Sequence, residues 1–245
     1  MPQQGPLRWL DGNGWLILVG GGEIAYGETD PIDANLLSVA NLDRPIVVLM
    51  AEGTRTQAEA VLEHYIALGG PGGEAFTFDL LSRTQLDAPS FLDLLREAGI
   101  LYLGGENPLP LSGNLLNTQA FRQIVEGFSS LQGLTLVGAG AGAAALGRWV
   151  FSPEPPYTQA PGLGFLMNAV VVPHFTRTED SLILRSLPRI APDLLGLGIP
   201  DGAALALGPD GQVEQWGTGQ ITAVVAATGD ETSDDTWEDE SEPYD

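Results

Sequence analysis

Residues Leu134-Thr-Leu-Val-Gly138-Ala-Gly140-Ala-Gly142-Ala-Ala-Ala-Leu-Gly147 decide the fold of this chain. Leu134 to Val137 reads as a short buried strand, and the Ala-rich segment that follows reads as the first turns of a helix. Between them Gly138, Gly140 and Gly142 fall at every second position. Their missing Cβ groups are what so sharp a strand-to-helix turn requires. A turn of this kind can lift one side chain above the carboxyl end of a central strand, within reach of backbone N–H donors. A nucleophile at that point would be Ser or Cys. The centre of this turn is Gly140, which has no side chain.

Outward from the turn, strands alternate with helices. Trp15-Leu-Ile-Leu-Val19 is a continuous apolar run ending in Gly20-Gly-Gly-Glu23, the pattern of a fully buried strand and a loop. Asp30-Pro31 opens a helix to about Ala40, with Pro at the first helical position. Pro45 to Met50 is a second strand. After Thr54 a helix runs to about Leu68, with Ala60, Val61, His64, Tyr65 and Leu68 on one face. Glu74 to Leu80 is a third strand, Ser90 to Ala98 a helix, and Gly99 to Leu103 a fourth strand ending in Gly104-Gly-Glu-Asn-Pro108. Leu111 to about Phe128 is helical, in two pieces.

This alternation predicts an α/β fold with a mostly parallel central sheet flanked by helices. Sites in such sheets gather at the carboxyl ends of the strands. Three of those ends are glycine-rich: Gly20 to Gly22, Gly104-Gly105 and Gly138 to Gly142. Beyond the Ala-rich helix, Ser152-Pro-Glu-Pro-Pro-Tyr157 is a loop. Gly162-Leu-Gly-Phe-Leu166 leads into the strand Ala169 to Pro173, then His174-Phe175 and a helix from Glu179 to Leu187. Ala203 to Leu207, Gln212 to Trp216 and Gln220 to Ala226 read as short strands separated by glycine turns, a β-meander finish.

The composition narrows the function. The chain has 245 residues, a net charge of −22 and no cysteine. Disulfides, thiolate metal sites and a cysteine nucleophile are therefore excluded. Residues 230–245 hold nine acidic side chains and no basic one, leaving 23 acidic against 10 basic in the remainder. Such a balance argues against nucleic acid and anionic membranes as partners. The sequence divides into an N-terminal extension (1–14), an α/β domain (15–228) and an acidic, disordered tail (229–245) with too little apolar surface to offset its chain entropy. With no basic n-region and no run of about 18 apolar residues, a cytoplasmic protein is expected. A homo-oligomer is compatible with the sequence, which neither requires nor excludes one.

Five blocks carry a resemblance. They are Gly20-Gly-Gly-Glu23, Gly104-Gly-Glu-Asn107, Gly138-Ala-Gly-Ala-Gly-Ala143, Gly162-Leu-Gly-Phe-Leu166 with Val170-Val-Val-Pro-His-Phe175, and Gly198-Ile-Pro-Asp-Gly-Ala-Ala-Leu205. In this order and spacing they resemble the cyanophycinase/dipeptidase E family, serine peptidases on a class I glutamine-amidotransferase-like fold. The resemblance runs from about Leu16 to Ala226. It implies His174 as the base, Asp201 as the acid that orients it, and the backbone N–H groups of Gly105 and Ala141 as oxyanion donors. Glu23, Glu106 and Asn107 would line the substrate cleft. The family's nucleophilic Ser falls on Gly140.

Other departures follow. Pro173 stands where Gln often precedes the His, Asp201 is one methylene shorter than the usual Glu, and only Arg177 remains of the arginines that often follow His-Phe. The resemblance therefore implies a peptidase homologue without its nucleophile, keeping a cleft for a peptide or other small ligand. Two alternatives stand beside it: a hydrolase that uses Ser112, Ser152 or water activated by His174, and a scaffolding protein acting through its surface and tail. Gly138-x-Gly140-x-x-Ala143 also fits a dinucleotide fingerprint. However, it lies on the fifth strand, and no acidic residue ends a strand about 20 positions later, so no cofactor is expected. No metal is expected either, and His64 reads as a surface or groove-lining residue.

Overall fold

The two apolar runs read above as strands lie side by side at the centre of the molecule. The computed structural model describes residues 5–77, 83–152, 158–178 and 181–225. Strand β1 (Leu16–Val19) runs parallel to β5 (Thr135–Ala139), with Leu16 opposite Leu136 and Val19 opposite Ala139. On the far side of β5 come β4 (Ile100–Gly105), β2 (Ile46–Ala51) and β3 (Gly73–Thr77), all parallel. On the other side β10 (Ala203–Leu207) pairs antiparallel with β1, and β11 (Val213–Gly217) with β10. The order is β11-β10-β1-β5-β4-β2-β3.

The continuous apolar runs have a simple cause. Successive side chains of a strand point to opposite faces, and here both faces are covered. Leu16, Leu18, Leu49, Leu103 and Leu136 belong to one core, with Phe91, Ile124 and Phe128 from helices α4 (Pro89–Glu97) and α6 (Gln119–Ser129). Ile17, Val19, Val48, Tyr102 and Val137 belong to the other, with Leu36 and Tyr65 from α1 (Asp30–Val39) and α2 (Arg55–Ala67). Thr54 begins α2 with a capping box, its side chain accepting from Gln57 N–H. The buried face of α2 is Ala58, Val61 and Tyr65, while Ala60 and Leu68 face outward. The expected stripe was thus out of phase at its start and one turn too long. Alanine satisfies either face, and position 68 lies past the last helical residue.

His64 is also not where it was expected. Its side chain is 12% exposed, and its Nε2 lies 2.9 Å from Oδ2 of buried Asp33. The Tyr65 hydroxyl donates to Oδ1 of the same carboxylate at 2.6 Å. Burial above all, then the Asp33 charge, holds the Tyr65 hydroxyl well above its ordinary 10.0. The same two causes raise Tyr102. This cluster joins α1 to α2 rather than serving a surface or groove. Tyr65→Phe would remove one of the carboxylate's donors, and a loss of about 1–3 kcal/mol is expected. Urea unfolding should show it as a lower midpoint with an unchanged slope.

A second, smaller sheet carries part of the site. In it β8 (Ala169–Val172) is parallel to β9 (Leu195–Gly198), which pairs antiparallel with β12 (Thr222–Val224). The last strands therefore form no single meander: β10 and β11 make a hairpin on the large sheet, and β12 crosses to the small one. Strand β9, Leu-Gly-Leu-Gly, escaped the sequence reading because half of it is glycine, a residue depleted in strands. A short hairpin of β6 (Trp149–Phe151) and β7 (Gln159–Pro161) flanks the Pro-rich loop. Residues 153–157 of that loop, residues 78–80 of the expected third strand and the acidic tail lie outside the described residues. So do residues 179–180, the expected start of the last helix. Helix α8 is described over Leu182–Ile190, capped by Ser181.

The segment before β1 is packed on the domain. Trp9 is 3% exposed and bridges Leu166. No helix among the described residues is long and apolar enough to cross a membrane.

Candidate active site

The strand-to-helix turn is as tight as its glycines suggest. Helix α7 (Ala141–Ala145) starts directly after β5, with Gly140 at its cap. A Cβ on Gly142 would lie 1.9 Å from the Leu103 carbonyl oxygen, and one on Gly138 would lie 2.6 Å from the Gly142 backbone. Neither position has room for a side chain, so α7 can approach β4 and β5 only with glycine at both. Gly140 has φ 53° and ψ −116°, a strained backbone for any other residue. Its surroundings are different, because they are open. Among the described residues a Cβ there would meet only the His174 ring, 3.2 Å from Nε2 and 3.8 Å from Cε1.

His174 follows β8 and crosses to the large sheet, where its N–H donates to the Gly20 carbonyl at 2.9 Å. Its backbone also has a positive φ of 51°. Asp201 follows β9 and is brought back to the same place, because Gly202 N–H donates to the Gly21 carbonyl at 2.9 Å. Residues 27 positions apart thereby meet, with His174 Nδ1 2.7 Å from Asp201 Oδ1. The carboxylate accepts from Nδ1–H, and Nε2 faces Gly140. Both side chains remain open to solvent, 62% and 56% exposed.

Under this pair lies Gly21, from the first of the glycine-rich strand ends. A Cβ on it would stand 2.2 Å from Asp201 Oδ1 and 2.4 Å from His174 Cε1, at a φ of +144°. Gly20 is similarly enclosed, its Cβ position 2.2 Å from the Pro200 carbonyl oxygen. The run of glycines after β1 marked a strand end, but only the folded chain shows that the His–Asp pair rests on it.

A cleft of about 470 Å³ opens beside His174, lined also by Gly105, Glu106, Ala141 and Ser152. Gly105 ends β4 with φ +128°, where a Cβ would collide with the Ala51 carbonyl oxygen at 1.8 Å. Ala141 is the first residue of α7, so its N–H has no carbonyl one turn earlier in that helix to reach. Of the expected cleft residues, Glu106 is on the wall. Asn107 caps α5 (Pro108–Leu115), its side chain accepting from Leu109 N–H at 3.1 Å, and is not among the lining residues. Glu23 also lies outside the lining; it is exposed, and its N–H donates to Glu28 Oε2 at 2.8 Å. Ser112 is buried within α5 with its hydroxyl donating to the Pro108 carbonyl, whereas Ser152 reaches the cleft. No group of three His, Asp or Glu residues that could hold a metal occurs among the described residues.

The chain is similar to known peptidases in sequence and fold. The sequence profile described as Peptidase family S51 matches residues 16–214. The cyanophycinase of Trichormus variabilis is 31% identical over 157 residues, covering 60% of this chain and 51% of that protein. A cyanophycinase of Synechococcus elongatus is 27% identical over 223 residues, covering 86% and 68%. The chain spans about half the length of the first of these relatives. Among solved structures, a peptidase from an acI-B1 actinobacterium superposes with a TM-score of 0.63 at 24% identity, covering 89% of this chain and 97% of that one. A putative peptidase E from Listeria monocytogenes gives 0.60 at 18% identity, covering 84% and 99%. Both share the α/β fold with its mostly parallel sheet.

Proposed function

Because this chain belongs to peptidase family S51, we propose that it binds a peptide or small-molecule ligand in the cleft beside His174 and performs no acyl transfer. The observation that carries this reading is the bare Gly140, whose Cβ position lies 3.2 Å from His174 Nε2. An attacking oxygen would hang from that Cβ. The base, its orienting carboxylate and the backbone N–H groups of Gly105 and Ala141 surround a place from which the nucleophile is missing. In triad enzymes, removing the nucleophile alone costs about 10⁶-fold in turnover. What then remains comes from the oxyanion donors and from binding.

A fluorophosphonate probe tests this directly, since it reacts with an activated serine. The expected result is a chain that stays unmodified under conditions that label a serine peptidase fully. Stoichiometric labelling would overturn the proposal. Ser152, on the cleft wall, is where mass spectrometry should look first.

A further inference from the structure

We propose that the ligand of this cleft is a small amphipathic amine, an apolar body bearing an ammonium group, rather than an acidic peptide. The inference rests on the reading of the cleft as a binding site and adds the chemistry of its occupant. Pro108, Phe151, Val172 and Ile183 give the cleft apolar walls. Such walls hold a hydrophobic body but offer nothing to a charge. Among the described lining residues Glu106 is the one carboxylate, and none is an arginine. The chain has no lysine at all.

His174 does not reverse this sign. Asp201 lies 2.7 Å from its Nδ1, so a proton gained by the ring would be balanced by that carboxylate. A carboxylate ligand would find only neutral donors, the backbone N–H groups of Gly105 and Ala141, and no full counter-charge. An ammonium group at Glu106 would gain a charge-assisted hydrogen bond. The net charge of −22 acts in the same direction, concentrating cations and repelling anions around the whole molecule.

Titration calorimetry of the full chain at low salt, with three probes on one phenylpropyl body, tests the assignment. The probes are phenylalaninamide (cationic), 3-phenylpropanamide (neutral) and 3-phenylpropanoate (anionic). The cationic probe should bind roughly fivefold more tightly than the neutral one, as a partly exposed ion pair allows, with the anionic probe weakest. Glu106→Gln should erase the cationic advantage and leave the neutral probe unchanged. Glu126→Gln, an exposed acidic position on α6, should leave all three unchanged. The proposal is overturned if the anionic probe binds best, if the three bind alike, if none binds, or if Glu106→Gln has no effect. If the Gly140→Ser variant reacts with a fluorophosphonate while the amine shows no preference, the ligand class alone is wrong. If that folded variant fails to react, the reading of the site itself is wrong.

Discussion

Gly140→Ser should yield a chain that a fluorophosphonate labels stoichiometrically and that turns over an activated ester or amide. The new Cβ would sit 3.2 Å from His174 Nε2, which places its hydroxyl within hydrogen-bonding reach of that nitrogen. The His174 ring is already oriented, since Asp201 Oδ1 lies 2.7 Å from Nδ1. Full restoration would recover a factor of up to about 10⁶ in turnover, the amount a triad enzyme loses with its nucleophile. Peptide mapping should find the label at position 140, and a second substitution, His174→Ala, should abolish it. The variant has a cost, because φ 53° and ψ −116° are unfavourable for a residue with a Cβ. About 1–3 kcal/mol of stability should be lost, a few degrees in Tm for a domain of this size. A folded variant that remains unlabelled would show that the machinery around Gly140 does not form a working site.

Gly21→Ala is expected to do the opposite damage from beneath. Its methyl group would stand 2.2 Å from Asp201 Oδ1 and 2.4 Å from His174 Cε1, closer than atoms can approach. The His–Asp pair must move, and Nε2 moves with it. In the Gly140→Ser background the expected loss is at least about 10²-fold in labelling rate, the effect of misplacing a catalytic group by an ångström. The positive φ of +144° adds strain, so the melting temperature should fall as well. The two effects are separable. Labelling should be lost even at temperatures where circular dichroism shows the doubly substituted chain to be folded. If Gly21→Ala leaves the labelling rate intact, the pair does not rest on this glycine.

These two glycines show how far the sequence could be read. The parallel core was legible because both faces of β1, β2, β4 and β5 are buried, so their sequences are unbroken apolar runs. Gly138 and Gly142 were legible as requirements of a tight turn, and the collisions at Leu103 and Gly142 give the physical reason. The pairing of His174 with Asp201 was implied only by resemblance. No periodicity links two residues carried by β8 and β9, and β9 itself was hidden by its glycines. Glu23 was expected in the cleft because it follows a glycine-rich strand end, and Asn107 because the resemblance implied it. Asn107 instead spends its side chain on capping α5, and the N–H of Glu23 is taken by Glu28. Adjacency to a strand end does not set the direction of a side chain.

By itself the sequence determined the class of fold, the position of the turn at its centre and the absence of a side chain at Gly140. All three follow from residue identity along a local stretch of chain, where apolar runs and glycine spacing act over a few positions. Only the tertiary structure decided that the open side of Gly140 faces His174 Nε2, that Gly21 lies beneath the His–Asp pair, and that Glu106 is the carboxylate on an apolar cleft wall. Those facts arise where the chain leaves five strands, after β1, β4, β5, β8 and β9. Contacts between segments so far apart in sequence are set by how the two sheets dock, and no local pattern encodes that.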